Sequence, residues 1–219
     1  PESLGERGIK NSWFDWGKTT LYSLVFVRTT NPNGVDERTE YFVCNVKAVS
    51  FVPLFVRLSI ELQFSRVATR GGLLLEDSRE NNILQYLVYS TAANSWYNTN
   101  QHQQTVDDAF LGVLQKLQRS GYFQRDDIRE FGLVHELCSQ EGYFAEKRFR
   151  FLVELYPESL IKNHHGQSLL HYSTRTEKIR RFEVIFDALI HFFPRWQGLL
   201  ALHRCLLYTS PSPRDEVLS

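Results

Sequence analysis

The stretch GQSLLHYST, residues 166–174, lies between the turn-rich run LYPESLIKNHH and a long helical pattern. That helical pattern sets the period of the chain. In RFEVIFDALIHFFP, residues 181–194, Phe182, Ile185, Phe186, Leu189, Ile190 and Phe193 recur at three- and four-residue spacing, a wide apolar stripe that Pro194 ends. AEKRFRFLVELYP, residues 145–157, repeats the design: Phe149, Leu152, Val153 and Tyr156 share one face and Pro157 stops the helix. The pairs Tyr156-Pro157 and Phe193-Pro194 are thus 37 residues apart (157 to 194). FVPLFVRLSIEL, residues 51–62, reads as a third copy, with Leu54, Leu58 and Leu62 one turn apart.

Each of these helices calls for a shorter partner before it. GLVHELCS (132–139), GQSLLHYST (166–174) and GLLALHRCL (198–206) supply three, and their histidines His135, His171 and His203 are spaced by 36 and 32 residues. A helix, turn, helix, turn unit of this length cannot bury its apolar side alone, so copies must stack. ENNILQYLVYS, residues 80–90, is an earlier copy with Gln85 at the histidine position. After it come a polar linker, Asn94 to Gln104, and TVDDAFLGVLQKLQRSG, read as an inserted helix. In that helix Thr105 and Asp108 resemble a capping box, Val106, Phe110, Val113, Leu114 and Leu117 form the stripe, and Gly121 closes the end.

The order Gly166, x, Ser168, Leu169, Leu170, His171 resembles the ankyrin-repeat signature glycine, x, threonine, proline, leucine, histidine. The likeness runs over about residues 50–204 and is similar to a divergent class of ankyrin-like proteins expanded in some unicellular algae. Leu169 stands in place of the proline, and Gly132-Leu133 and Leu200-Ala201 replace the threonine-proline pair in flanking copies. The resemblance implies that glycine leaves the finger turn, the hydroxyl caps the inner helix, leucine enters the core and histidine ties adjacent loops. It implies a mainly α fold, an ankyrin-like stack of helical hairpins with one inserted helix.

Residues 46–204 are therefore assigned to the array. Residues 1–45 remain unassigned: two β-rich runs flank Asn31-Pro32-Asn33-Gly34 and read as a β-hairpin, with a helical or disordered segment as the alternatives. Residues 205–219 contain CLLYTSPSPRD, which resembles translated adaptor sequence. A plain disordered tail, or proline-directed phosphorylation at Ser210 and Ser212, are the other readings. The absence of methionine and the start at Pro1 lead us to expect a fragment of a longer product.

Lys plus Arg and Asp plus Glu both total 25, which leaves no net field to draw nucleic acid or anionic lipid. No apolar run approaches the ~20 residues of a membrane span and no signal peptide is evident. Cys44, Cys138 and Cys205 are odd in number and widely spaced, which favours reduced thiols. An intracellular, cytoplasmic, monomeric module is expected. GxSxG, Walker A, HExxH and GxGxxG signatures are absent. Arg70-Gly71-Gly72 reads as a turn, and Asp107-Asp108 and Asp126-Asp127 as acidic helix starts. No enzyme activity, cofactor or metal site is expected. His135 with Cys138 and His203 with Cys205 lack a zinc rhythm.

The expected function is a protein–protein interaction scaffold that binds a protein or peptide on its inner helices and finger turns. Contact positions are Lys162, Asn163, His164, His165, Tyr172 and Trp196, with Asp77, Ser78 and Arg79 one finger earlier. Tyr86, Tyr89 and Arg175 are further interface-type residues. The alternative is a regulatory or substrate-recruiting array of a larger kinase or ubiquitin-ligase component.

Overall fold

Apolar spacing of three and four residues makes the chain mainly helical, as the computed structural model shows. The structure describes residues 20–30, 40–64, 67–77, 80–89, 100–140, 143–161, 169–170 and 179–194. In chain order these hold α1 (20–25), β1 (Phe26–Thr30), β2 (Glu40–Cys44), α2 (Val52–Glu61), α3 (Ile83–Val88), α4 (Asn100–Arg119), α5 (Arg125–Glu130), α6 (Leu133–Ser139), α7 (Glu146–Leu155) and α8 (Ile179–Phe192). Residues 169–170 are helical as well. Short α3 packs on short α6, while the long helices α2, α4, α7 and α8 each pack on the next. The 3₁₀ turn Pro157–Leu160 fits between α6, α7 and α8.

The buried faces follow the sequence closely in α4 and α7. Val106, Phe110, Val113, Leu114 and Leu117 are buried, as are Phe149, Leu152, Val153 and Tyr156. Leu169 and Leu170 are fully buried too. Prolines end α7 and α8 as expected, because Pro157 and Pro194 cannot continue the backbone ladder. Gly121 takes φ +75° after α4, and the Tyr122 and Phe123 amides donate to Leu117 O at 2.9 and 3.2 Å.

Several expectations are corrected. On α2 the core face is Val52, Val56 and Ser59, so Leu54, Leu58 and Leu62 point outward. On α8 the core face is Arg181, Val184, Ile185, Ala188 and Leu189, about one residue back from the expected stripe, and Ile190 is exposed. Helix α4 starts at Asn100, not at Thr105, whose hydroxyl donates to Gln101 O one turn back at 2.9 Å. Helix α4 is 20 residues long and packs on both α2 and α7. Asp126 and Asp127 do open α5, but Asp107 and Asp108 lie inside α4.

At the other end, TLYSLVFV, residues 20–27, is helix first and strand second. Strands β1 and β2 pair antiparallel, from Phe26 opposite Cys44 to Thr30 opposite Glu40. The connection 31–39, with Asn31-Pro32-Asn33-Gly34, lies outside the described residues. Asn45 ends α1: its amide donates to Val25 O at 2.7 Å and its Nδ2 to Ser23 O at 3.1 Å. Leu21 and Val25 join the same apolar core as the later helices.

A buried ion pair ties the middle of the molecule. Arg148 and Asp107 are 0% and 1% exposed, with Arg148 Nε donating to Asp107 Oδ1 at 2.9 Å. Arg148 Nη1 continues to Leu87 O (2.7 Å) and Tyr89 O (3.1 Å), the carbonyls left over where α3 ends. Asp107 also accepts the backbone amides of Lys147 (3.1 Å) and Arg148 (3.4 Å) in the first turn of α7. The guanidinium lies 5.4 Å from the Phe110 ring centre. Three helices thus meet on one charged pair whose polar atoms are extensively bonded.

The device recurs in part 33 residues later (148 to 181). Arg181, the third residue of α8 as Arg148 is of α7, is fully buried; its Nη1 donates to Cys138 O at 3.0 Å, near the end of α6, and it lies 5.4 Å from the Phe144 ring centre. A third link joins the loop before α3 to α5. Arg70 pairs with Asp127 and donates to Gln124 Oε1 at 3.2 Å, held by left-handed backbone at Arg70 and Gly71 (φ +47° and +66°).

Arg148→Ala is expected to destabilise the chain by about 3–5 kcal/mol, because Asp107 is left buried and unpaired. Adding Asp107→Ala should cost little more, since both changes remove one interaction; denaturant unfolding of the three variants measures the coupling. A Cβ at Gly71 would stand 2.5 Å from Val56 O, whereas one at Gly121 meets nothing within 4 Å. Both glycines have positive φ, so Gly121→Ala should cost about 1 kcal/mol and Gly71→Ala about 2–4 kcal/mol, with the difference read from paired thermal melts.

Candidate interaction surface

The turn before α3 is built by Asp77. Its amide donates to Asn81 O at 2.9 Å, its carbonyl accepts the Glu80 amide at 3.1 Å, and its carboxylate accepts the Asn81 amide at 3.1 Å and the Tyr86 hydroxyl. Asn82 then caps α3 in a reciprocal box with Gln85, with bonds of 3.0 and 2.9 Å. Asp77 is half-buried and committed to this turn. Of the expected contact positions Asp77 is the one among the described residues, and its carboxylate shapes this turn. The Gln85 at the histidine position has a job of its own in the cap.

Tyr86 gathers rings from three elements. Its centre lies 5.3 Å from Tyr22 on α1, 5.4 Å from Phe26 on β1 and 5.6 Å from Tyr89, with the first two contacts edge-on. Tyr86 is mostly buried and Tyr89 half-buried, so Tyr89 presents more of its surface. On neighbouring α6, His135 and Glu136 are half-buried. Together these place aromatic rings and carboxylates along α1, α3 and α6.

Burial pushes the Tyr86 hydroxyl well above the ordinary tyrosine range, and Asp77 adds to it. Burial does the same to Tyr89, with Glu136 adding. Burial also pushes the Cys138 thiol up to about 12, only partly offset by nearby Arg181. A thiol held protonated is a poor metal ligand. Among the described residues no group of three or more His, Cys, Asp or Glu is placed to hold a metal ion.

Of the expected contact positions, Ser78, Arg79, Lys162, Asn163, His164, His165, Tyr172 and Trp196 lie outside the described residues, as do Arg175, His171, His203 and Cys205. Helical periodicity gives no role to Tyr22, which the structure brings to this face. A signal for it exists all the same: Gly17, x, Thr19, Thr20, Leu21, Tyr22 follows the order of Gly166, x, Ser168, Leu169, Leu170, His171. In both runs the fourth and fifth residues are helical and the leucine is fully buried. Among the described residues no helix is long and apolar enough to cross a membrane. No family model matches the chain, and neither the curated proteins nor the solved structures contain a match to it.

The raised tyrosines set an alkaline limit. A hydroxyl that ionises later in the folded than in the unfolded chain stabilises the fold fully below the ordinary value of about 10, and that stability is lost as pH rises above it. Denaturant midpoints should accordingly fall from about pH 10 upward, and Tyr86→Phe with Tyr89→Phe should flatten the fall.

Proposed function

We propose that the chain is a protein–protein interaction scaffold: an ankyrin-like stack of helical hairpins that binds a protein or peptide on its inner helices and finger turns. The repeated arginine carries this reading. Arg148 opens α7 and bonds the end of α3, and Arg181 opens α8 and bonds the end of α6, with the same position and the same kind of target one period later. A clamp from each long helix to the short helix of the preceding unit is what a translated array needs, since each unit buries its apolar side only on its neighbours. On this reading α3, α6 and the helix containing Leu169 and Leu170 are inner helices, with α4, α7 and α8 their outer partners. The match between residues 17–22 and 166–171 adds α1, with α2 as its outer partner and the β1–β2 pair inserted between them.

The face formed by α1, α3 and α6 is the binding side, with Tyr22 and Tyr89 joining the finger residues Lys162, Asn163, His164 and His165, and Tyr172 and Trp196. Tyrosine and tryptophan supply large contact area at small entropic cost, as interface anchors do.

A photo-crosslinking amino acid at His164, Tyr172 or Tyr89 of the full chain in cells should yield discrete protein adducts. The same group at Arg150 or Glu154, on the solvent side of α7, should yield none. Equal labelling from both sets, or none from the first, would overturn the assignment.

A further inference from the structure

We propose that the outward face of α2 pairs two copies of this chain, antiparallel about a two-fold axis at the level of Ser59. Phe51, Leu54, Leu58 and Leu62 form this face and are 55%, 42%, 38% and 58% exposed. Phe64 and Val67, which follow in the chain, are exposed as well. The opposite side, Val52, Val56 and Ser59, is buried, and α2 packs on α4 and on the 67–72 turn. At these exposures the six apolar residues leave roughly 600 Å² in water, where the largest apolar patch of a single-chain protein is about 300–600 Å². Covering them on two copies would remove about 1,200 Å², the lower end of the range for specific complexes.

The polar border of the face chooses the occupant. The exposed polar residues of α2 are Arg57 and Glu61, one turn apart on one edge of the apolar stripe and 3.5 Å from each other. Opposite charges one turn apart complement themselves in reverse order. A two-fold axis that sets a second α2 antiparallel on the first lays this edge beside its own copy, so Arg57 meets Glu61 of the second copy and Glu61 meets its Arg57. A parallel arrangement would oppose like charges. Matching the charges fixes the register, and that register suits the leucines. With Arg57 level with Glu61 of the second copy the axis lies at 59, and Leu62, Leu58 and Leu54 of the second copy come level with positions 56, 60 and 64 of the first. The leucines of the two copies then alternate along the seam at steps of about 3 Å. A second copy of α2 thus satisfies both the charge order and the leucine spacing.

The pairing involves α2 alone, so its failure would leave the binding side untouched. Sedimentation velocity of the full chain from about 1 to 200 μM should show a monomer–dimer equilibrium, with half the chain paired at roughly 50 μM, as expected of a small interface. Leu58→Asp should leave monomer throughout; Leu58 is exposed, so its thermal melt should match that of the unchanged chain. Arg57→Glu alone and Glu61→Arg alone should each weaken pairing about tenfold by setting like charges across the axis, and an equimolar mixture of the two variants should pair at least as well as the unchanged chain. The mixture restores the charge match between chains but not within either one, which separates the contact from the ion pair inside α2. A chain that stays monomeric at all these concentrations, pairing that survives Leu58→Asp, or a mixture that pairs no better than its components would overturn the proposal. So would growth beyond dimers, which would assign the face to a different surface of the next copy.

Discussion

The structure depends on a charge that cannot be left alone. A guanidinium buried as deeply as that of Arg148 is tolerated only when its charge is matched and its donors are used, and Asp107, Leu87 O and Tyr89 O meet both needs. These partners belong to α4 and to the end of α3, and the donor belongs to α7. The arginine holds one register, because displacement would leave a buried carboxylate and two carbonyls without partners.

Arg181 repeats the bond to a helix end, but among the described contacts its cation lies over the Phe144 ring where Arg148 has a carboxylate as well as a ring. Burial lowers its proton affinity. At both sites the arginine is the third residue of its helix and bonds a backbone carbonyl, while the second contact differs. Asn45 does a related job at α1, where the residue after β2 supplies the donors. The ends of the short helices are thus satisfied by side chains from elsewhere in the chain, which ties each short helix to its surroundings.

The same economy governs the face proposed for binding. Asp77 is spent on its turn and on Tyr86, and Tyr86 is spent on packing, so the acidic and aromatic residues nearest the turn before α3 build the surface more than they offer it. Tyr89, Tyr22 and His135, half-buried, are the groups left at the edge of this network. The carboxylate of Asp77 is already occupied by the Tyr86 hydroxyl.

Local chemistry in the sequence by itself determined the helices α4, α7 and α8, the proline stops after the last two, the glycine turn after α4 and the burial of Leu170, because each needs only spacing or a single residue's backbone preference. Tertiary structure alone decided three other things. It chose which of the two apolar sides of α2 is core, since both carry hydrophobic residues and the positions of α4 and the 67–72 turn select Val52 and Val56. It made α1 a helix despite its β-rich composition, since Leu21 and Val25 gain the common core by helical spacing. And it turned Asp107 and Arg148, which look like ordinary surface charges 41 positions apart, into the buried pair at the centre, because complementarity across such a distance is invisible until folding brings α4 and α7 together.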